Sequence, residues 1–334
     1  MQVADTPRTV PGGGAAAPPG VWVMKNTSLS LHSAFNRVLN YADEEGRILS
    51  LVLPEIGGGP GHVIVKRLPE PAPALVVLNE GELIVGEETV RLGDQPEFDP
   101  YPDVWEWPSS ETIRKGVANI LPLFPSGSPV FLLERKPGGR SATALPARGG
   151  FGNGRAGPPD PPEQGVSRTG SGESGACGAR ALPAERSGMD FNRALYAELE
   201  KGAGSLVSGD VEAGARTLKG LGPGLTPTGD DILCGFLWAL ALADRIRRER
   251  FKETRGTILE IARGENLIVN HFLTAAANGL FFDRFKCFVE AFLNGDAPRI
   301  RSAFTPLLDI GETSGADTVV GFIMGLEPSE GIGG

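Results

Sequence analysis

Along this chain of 334 residues, the spacing of apolar positions changes from a short, strand-like pattern to a helical one. Between residues 21 and 136, short apolar runs are separated by Gly, Pro, Asn and Glu, which is typical of strands and turns. The segment SLHSAFNRVLNYA instead has apolar residues at helical spacing, so we expect one helix beside the strands. NEGELIV predicts a tight hairpin. The expected strands are VWVMKN, ILSLVLPE, HVIVKRL, ALVVLNE, ELIVGEETV and VFLLER.

From Met189 on, apolar residues recur about every 3.6 positions, which indicates amphipathic or buried helices. Asp210 and Asp296 suit helix N-caps. The expected helices lie at about 189–206, 210–219, 230–250, 254–263, 266–281, 283–294, 296–308 and 315–326. We therefore predict an α+β fold, in which a β-rich N-terminal domain, built as an antiparallel sheet or a small barrel, is followed by an all-α C-terminal domain.

Composition suggests where the domains begin and end. Residues 1–20 lack large apolar side chains and are expected to form a disordered N-terminus. Residues 137–188 are rich in Gly and Pro, and such a segment cannot bury enough surface to offset its ordering entropy. We predict a disordered insertion or linker there. The β-rich domain is then expected at 21–136 and the α-helical domain at 189–328.

Charge and cysteine content exclude several functional classes. The formal net charge of −9 gives no general attraction to nucleic acid or to an anionic membrane, so neither is an expected partner. The three cysteines form no C-x-x-C pair, which argues against a disulfide framework and a structural zinc site. The N-terminus lacks the apolar segment of a signal peptide, and the apolar run ILCGFLWALALA is too short to span a bilayer. We expect a cytoplasmic protein.

The segment GLGPGLTPTGDD, residues 220–231, precedes that apolar run and is the main candidate site. It is not a Walker A loop, because Asp230 stands where that motif requires Lys, and it fails the dinucleotide pattern at Pro227. Glycines nevertheless let a loop bring backbone N–H groups close to a ligand, and a helix N-terminus adds further donors. The candidate ligand-binding residues here are Gly222, Gly224, Thr226, Thr228 and Gly229.

Two adjacent carboxylates give this loop its chemistry. Asp230 and Asp231 can hold Mg²⁺, accept hydrogen bonds from an amide or act as a general base. A purely structural interpretation stays open, with Thr228 as the N-cap and the two aspartates favoured by the helix dipole.

A second segment repeats part of this loop. Residues 228–236 and 314–322 share the pattern [ST]-G-x-D-x-x-x-G-F, and both stand where a loop enters an apolar helix. If the two helices cross at Gly235 and Gly321, Asp231 and Asp317 can converge on one ligand. This adds Asp317 to the candidate catalytic residues, and Ser314 and Gly315 to the ligand-binding ones.

Asn266 and Asn270 interrupt another apolar helical run, close to His271. Polar residues in such a run either hydrogen-bond within the core or line a pocket. Both asparagines are kept as candidate ligand-binding residues.

The glycine-rich segment resembles the signature G-x-G-P-G-L-T-P-[ST]-G-D-D of a bacterial family that includes the AllH-type subunit of oxamate carbamoyltransferase. HSAFNRVLNY (32–41) and GGGPGHVIV (57–65) resemble the N-terminal motifs of that family, and GETSGADTVVGF (311–322) resembles its closing motif.

This resemblance implies a role beside partner subunits in anaerobic purine-nitrogen catabolism, where oxalurate and phosphate interconvert with oxamate and carbamoyl phosphate. It implies that N–H donors bind a small anion such as carbamoyl phosphate or oxamate, while Asp231 or Asp317 binds the carbamoyl NH₂ group. The chain contains neither the STRT nor the H-P-x-Q segment of the aspartate and ornithine carbamoyltransferases. Any transfer activity would therefore use a different architecture.

Two alternatives stay open. One is a non-catalytic partner subunit that binds a small ligand. The other is an Mg²⁺-dependent enzyme acting on a phosphorylated small molecule, with Asp230 and Asp231 as the metal ligands. Mg²⁺ is the one cofactor considered.

Overall fold

The computed structural model describes residues 26–133, 184–248 and 250–326. The predicted disordered N-terminus and most of the predicted linker lie outside these residues. The described β-rich residues and the described helical residues from Arg193 onward belong to one compact unit. The predicted domain boundaries stay predictions.

The N-terminal region forms one seven-stranded sheet with the strand order β4-β3-β2-β1-β5-β6-β7. Neighbouring strands are antiparallel except β3 and β4, which are parallel. The strands are β1 (Thr27–Phe35), β2 (Val38–Ala42), β3 (Ile48–Val52), β4 (His62–Ile64), β5 (Leu75–Asn79), β6 (Glu82–Val85) and β7 (Glu88–Arg91). The β-rich half of the predicted α+β fold is confirmed, and the sheet is predominantly antiparallel.

The helix expected in SLHSAFNRVLNYA is wrong, because this segment forms the hairpin of β1 and β2. The register between the two strands shifts between Leu31 and Ser33. Such a bulge breaks the two-residue alternation of a strand, so the apolar positions can imitate a helical spacing. The buried side chains of Leu39 and Tyr41 in β2 are opposite Leu51 and Leu49 of β3, which ties the hairpin to the sheet core.

Two other local predictions have opposite outcomes. The NEGELIV hairpin is confirmed, since Asn79 pairs with Glu82 and the two turn residues, Glu80 and Gly81, have φ values of 45° and 86°. Positive φ at both turn positions is what a two-residue hairpin requires. The strand predicted in VFLLER is wrong over its described part, because Val130–Leu133 forms a 3₁₀-helix. Its Leu132 packs into the helical core instead of a sheet.

Most of the remaining described chain is helical. Asp210 and Asp296 cap α3 and α8 by accepting hydrogen bonds from Ala213 N and Arg299 N, so both predicted N-caps are confirmed. From residue 184 on, the described residues contain no strand, which confirms the all-α half of the fold. The helices are α1 (Ser110–Ile120), α2 (Ala184–Ser208), α3 (Val211–Leu218), α4 (Thr228–Arg247), α5 (Lys252–Ala262), α6 (Leu267–Ala277), α7 (Asp283–Leu293), α8 (Ala297–Phe304) and α9 (Ser314–Leu326).

Helix α4 forms the centre of the helical core. Every residue from Thr228 to Ala243 is buried, so this helix has no solvent-exposed face over that length. Helix α9 is equally enclosed, with Gly315–Asp317 and Val319–Leu326 buried. A helix that is apolar all round must be surrounded by other elements, and α4 and α9 pack directly on each other. Among the described residues, no helix is both long and apolar enough to cross a membrane.

The GGGPGHVIV motif connects the sheet to the helices. Gly58 N donates to Asp283 Oδ2 at 2.6 Å, and Asp283 N donates back to Gly58 O at 2.9 Å. The His271 ring of α6 contacts Pro60 O at 3.0 Å. This motif therefore serves as a packing seam between β3–β4 and the starts of α6 and α7.

Candidate functional site

Helices α4 and α9 cross at a pair of glycines. A Cβ atom on Gly235 would overlap the backbone oxygen of Thr318 and lie 2.5 Å from Phe322 N. A Cβ atom on Gly321 would overlap the backbone oxygen of Ile232 in the same way. Only glycine permits backbones to approach this closely. The predicted crossing at Gly235 and Gly321 is confirmed.

The first glycine of each repeat has a matching role. A Cβ on Gly229 would overlap the carbonyl oxygen of Leu218 at the end of α3, and a Cβ on Gly315 would overlap that of Leu307 just after α8. Each helix start is thus pressed against the end of the preceding helical segment. The sequence repeat corresponds to two helix starts built in the same way, and both glycines serve this close packing.

The crossing brings Asp231 and Asp317 together inside the protein. Asp231 is 8% exposed and Asp317 is fully buried. The Thr228 hydroxyl at the start of α4 lies close enough to Asp317 to lower its pKa, and the hydroxyls of Ser314, at the start of α9, and Thr226 do the same for Asp231. Each aspartate therefore faces the first residue of the other helix. We call Asp231 and Asp317 the aspartate pair.

The members of the aspartate pair differ in how their oxygens are satisfied. Asp317 Oδ1 accepts a hydrogen bond from Ser128 Oγ at 2.8 Å, and its Oδ2 accepts one from Thr313 Oγ1 at 2.8 Å. Asp231 Oδ2 is buried and has no hydrogen-bond partner among the described residues. A buried polar atom without a partner costs about 1–3 kcal/mol, and among the atoms of the aspartate pair Asp231 Oδ2 is the one left unsatisfied by the described residues.

Burial raises the pKa of both members of the aspartate pair. Desolvation raises the pKa of Asp317 to about 6, against the lowering effect of the hydroxyls of Thr313, Ser128 and Thr228. Desolvation raises the pKa of Asp231 well above its ordinary value, and the charge of Asp317 adds to this rise. With a pKa of about 6, Asp317 is mostly ionised at pH 7, while burial and the neighbouring Asp317 charge both favour the protonated form of Asp231.

Asp230 has a different environment, although it is adjacent in sequence. Its Oδ1 accepts a hydrogen bond from Gly220 N at 2.9 Å, so this carboxylate holds the backbone at the start of the loop in place. Burial raises its pKa, and the bond from Gly220 and the charge of Lys219 oppose that rise. The geometry joins Asp231 to Asp317 rather than to Asp230, and the catalytic role predicted for Asp230 stays a prediction.

The glycine-rich loop covers the start of α4. Gly222 and Gly224 have φ values of 119° and 100°, which other residues adopt with strain. The first-turn N–H groups of the helix are paired inside the loop, since Gly229 N donates to Leu221 O at 2.8 Å and Asp230 N donates to Pro227 O at 2.9 Å.

The loop therefore differs from a simple helix cap. The N-cap position is occupied by Pro227, and no side chain caps the helix, so the interpretation of Thr228 as the N-cap is wrong. Thr226 Oγ1 lies 2.6 Å from Ser314 Oγ, which joins the loop to the start of α9 above the aspartate pair. Hydroxyls, rather than backbone N–H groups, are the polar atoms that this site brings together.

The two predicted asparagines support the loop from the side. Asn266 is the N-cap of α6, and its Nδ2 donates to Leu225 O at 2.6 Å, so it contacts the loop backbone. Asn270 holds both backbone atoms of Gly264, accepting from N at 3.0 Å and donating to O at 2.7 Å. Its amide faces Gly264 rather than the aspartate pair.

Some residues near the site gave no usable sequence signal. Ser128 bonds to Asp317 from 189 positions away in the chain, and nothing in its local sequence predicts that contact. His62 and His271 lie buried at the seam between sheet and helices, where burial lowers the pKa of each to about 4. Both rings are neutral at pH 7 and contribute packing at that seam.

Residues 218–326 match the family model described as oxamate carbamoyltransferase subunit AllH. The match supports the resemblance to this family over the helical part of the chain. It runs from the last residue of α3 to the end of α9 and includes the crossing, both repeats and the aspartate pair. No solved structure matches this chain.

Proposed function

We propose that this chain, which matches the AllH family over residues 218–326, is a subunit of an oxamate-carbamoyltransferase-type enzyme in which the aspartate pair binds the carbamoyl group. The observation that carries this proposal is the unpartnered Asp231 Oδ2, buried between two helix starts within the matched region. Three hydroxyls, those of Thr226, Thr228 and Ser314, lie around it or its partner.

A protonated carboxyl group suits a carbamoyl ligand. Its O–H can donate to a carbonyl oxygen, and its oxygen can accept from an NH₂ group. A carbamoyl group offers both a carbonyl and an NH₂, so it satisfies Asp231 Oδ2 in either orientation. Binding such a ligand removes the desolvation penalty of the unpartnered oxygen, which ties affinity to this one atom.

The pair does not suit the anionic end of the ligand. Asp317 carries a negative charge at pH 7, and like charges repel strongly in a buried site. None of the groups that set the pKa values of Asp231 and Asp317 among the described residues is a lysine or arginine. The phosphate or carboxylate group of the ligand therefore binds away from the pair.

The proposed reaction transfers the carbamoyl group from phosphate to the oxamate nitrogen. In the direction of oxalurate formation, the bond between the carbamoyl carbon and the phosphate oxygen breaks, and a bond from the oxamate nitrogen to that carbon forms. The nitrogen loses one proton, and phosphate leaves. Asp317, ionised at pH 7 with a raised pKa, is the base available in the pair for that proton.

The substitution Asp231→Asn tests this proposal in the complex reconstituted with its other subunits. Asparagine keeps the shape, but the atom at the open position can then only donate or only accept, so we expect carbamoyl-phosphate-dependent turnover to fall about 10-fold, the scale of one lost hydrogen bond. The matched control is Asp230→Asn, which still accepts from Gly220 N and should retain turnover within about threefold. Full activity in Asp231→Asn with an intact fold would contradict the proposal.

A non-catalytic binding subunit is the second candidate. Both oxygens of Asp317 are already bonded to protein hydroxyls, which leaves Asp231 Oδ2 as one open position and suits binding without proton transfer. If Asp231→Asn abolishes ligand-induced thermal stabilisation but leaves turnover of the complex unchanged, this candidate is favoured.

The Mg²⁺ prediction has a separate test. The described residues contain no group of three or more His, Cys, Asp or Glu side chains placed to hold a metal ion. Asp230, one of the two predicted ligands, is bonded to Gly220 N. Metal dependence stays a prediction, and activity measured after chelation with EDTA and after restoring Mg²⁺ decides it.

A further inference from the structure

A cavity lies at the opposite end of α4 from the aspartate pair. It has a volume of about 300 Å³, and its walls come from α4, α5, the turn after α6 and the segment before α1. This volume is within the range of small-molecule sites. Asp231 and Arg245 lie near opposite ends of α4, about 20 Å apart along the helix. We call this cavity the arginine cavity, because Arg245 and Arg255 line it.

One wall of the arginine cavity is apolar. Ala241 and Leu242 of α4 are buried and line the cavity together with the buried ring of Phe281. Phe281 N donates to Pro100 O at 2.9 Å, which holds the segment that carries Tyr101 against the helices. Tyr101 lines the cavity as well. A ligand that covers this wall needs an apolar body, because its affinity comes from the apolar area that it removes from water.

An ion pair forms the fixed polar part of the cavity. Asp244 Oδ2 accepts from Arg255 Nη2 at 2.5 Å, and Asp244 Oδ1 accepts from Phe251 N at 2.6 Å. Arg255 Nη1 donates to Ala277 O. Arg255 Nε is buried and has no partner among the described residues. The charges of Asp244 and Arg255 therefore offset each other, and both oxygens of the carboxylate are already bonded.

Arg245 has no such partner. Its contacts with the described residues are with two aromatic rings, and its Cζ lies 5.4 Å from the ring centroid of Tyr101 and 5.6 Å from that of Trp105. These contacts stabilise the cation through the ring faces, and they leave its N–H groups without an acceptor. A guanidinium group fits a carboxylate through two parallel hydrogen bonds. Arg245 is therefore the uncompensated positive charge among the described residues that line the cavity.

We infer that the arginine cavity binds a small aromatic carboxylate, with the carboxylate group on Arg245 and the ring on the apolar wall. Phe281 and Tyr101 give that wall two aromatic rings, on which a third ring packs in an offset or edge-on arrangement. A neutral ligand leaves the N–H groups of Arg245 unused, and a small hydrated anion leaves the wall uncovered. This site is separate from the aspartate pair and does not depend on the proposed function.

Isothermal titration calorimetry of the full chain with benzoate tests the inference. Benzamide replaces the carboxylate by a neutral amide of the same shape, and acetate keeps the carboxylate but lacks the ring. We expect benzoate to bind at least about tenfold more tightly than either compound, the scale of one hydrogen bond between charged groups or of one buried ring. Equal affinities for benzoate and benzamide, or for benzoate and acetate, would overturn the inference.

The substitution Arg245→Gln assigns the binding to this cavity. Glutamine keeps a hydrogen-bonding side chain but removes the charge, so the affinity for benzoate should fall at least about tenfold, to the level of benzamide. The matched control is Arg248→Gln, an exposed arginine at the end of the same helix that does not line the cavity. It should bind benzoate within about twofold of the wild type. Unchanged affinity in Arg245→Gln, or an equal loss in Arg248→Gln, would overturn the inference.

The two sites can be told apart with one further variant. Asp231→Asn should bind benzoate as the wild type does, because the aspartate pair lies at the other end of α4. Loss of benzoate binding in Asp231→Asn but not in Arg245→Gln would place the ligand at the aspartate pair and overturn the inference. Turnover of Asp231→Asn tests the proposed function, so either proposal can fail without the other.

Discussion

Helices α4 and α9 start with the same residue pattern, but their aspartates are satisfied differently. Asp317 is fully buried and accepts hydrogen bonds on both oxygens from Ser128 and Thr313. Asp231 keeps one buried oxygen without a partner among the described residues. One copy of the repeat therefore holds the site together, and the other leaves an atom open for a ligand. The repeated residues set the crossing of α4 and α9, while the residues around each copy determine whether its aspartate is fully hydrogen-bonded.

The largest expected effect comes from the feature that the two copies share. Gly235→Ala and Gly321→Ala each place a methyl group into the backbone of the opposite helix, so we expect a loss of about 3 kcal/mol or more in the free energy of unfolding. Urea denaturation measures this loss. Gly256→Ala in α5 is the control, because a Cβ there meets nothing within 4 Å and should stabilise the helix by up to about 1 kcal/mol.

Equal losses of unfolding free energy in Gly235→Ala and Gly321→Ala would show that both glycines contribute equally to the stability of the crossing. A variant of either glycine as stable as the wild type would contradict the close approach of α4 and α9.

The next effect separates the two aspartates. Asp317→Ala leaves the buried Ser128 hydroxyl and the Thr313 hydroxyl without their acceptor, so unfolding should require about 1–3 kcal/mol less free energy. Asp231→Ala removes an unpartnered oxygen, which offsets part of the lost contact with the Ser314 hydroxyl, so it should cost less than Asp317→Ala. Chemical denaturation of both variants at pH 7 measures the difference. The reverse order of losses would show that Asp231 is the structural member.

The last effect is a change in pH dependence. Because burial raises the pKa of Asp317 from 3.8 to about 6, the folded state binds more protons than the unfolded state between these values. The free energy of unfolding should therefore fall as the pH rises from 3.8 to about 6, with a slope of at most about 1.4 kcal/mol per pH unit from this group. Denaturation of Asp317→Asn across this range should show a shallower fall, and an unchanged profile would place the raised pKa elsewhere.

The helical half of the fold could be predicted because its signals are local. The 3.6-residue period and the capping aspartates, Asp210 and Asp296, depend on residues within a few positions of each other. The crossing of α4 and α9 was predictable for a different reason. Two matching glycines in two matching motifs indicate two backbones that approach closely, and Gly235 and Gly321 do so.

The failures arise where distant chain segments or a backbone irregularity decide the structure. The bulge after Leu31 gives the β1–β2 hairpin a spacing of apolar residues that resembles that of a helix. Ser128 reaches Asp317 only through the tertiary fold. The orientation of Asp230 toward Gly220 depends on the path of the loop, which neither residue type nor spacing specifies. The sequence thus indicates which residues surround the site, and the fold determines which carboxylates meet.

The contact of backbone on backbone at Gly235 and Gly321 has a consequence for ligand binding. The separation of Asp231 and Asp317 is set by the main chains of two buried helices, and no rotation of a long side chain is needed to form the pair. A site of this kind is preorganised, so little conformational entropy is lost when a ligand arrives. Under the proposed function, affinity then depends on the chemical match of the carbamoyl group with one oxygen atom of a site that is already formed before the ligand arrives.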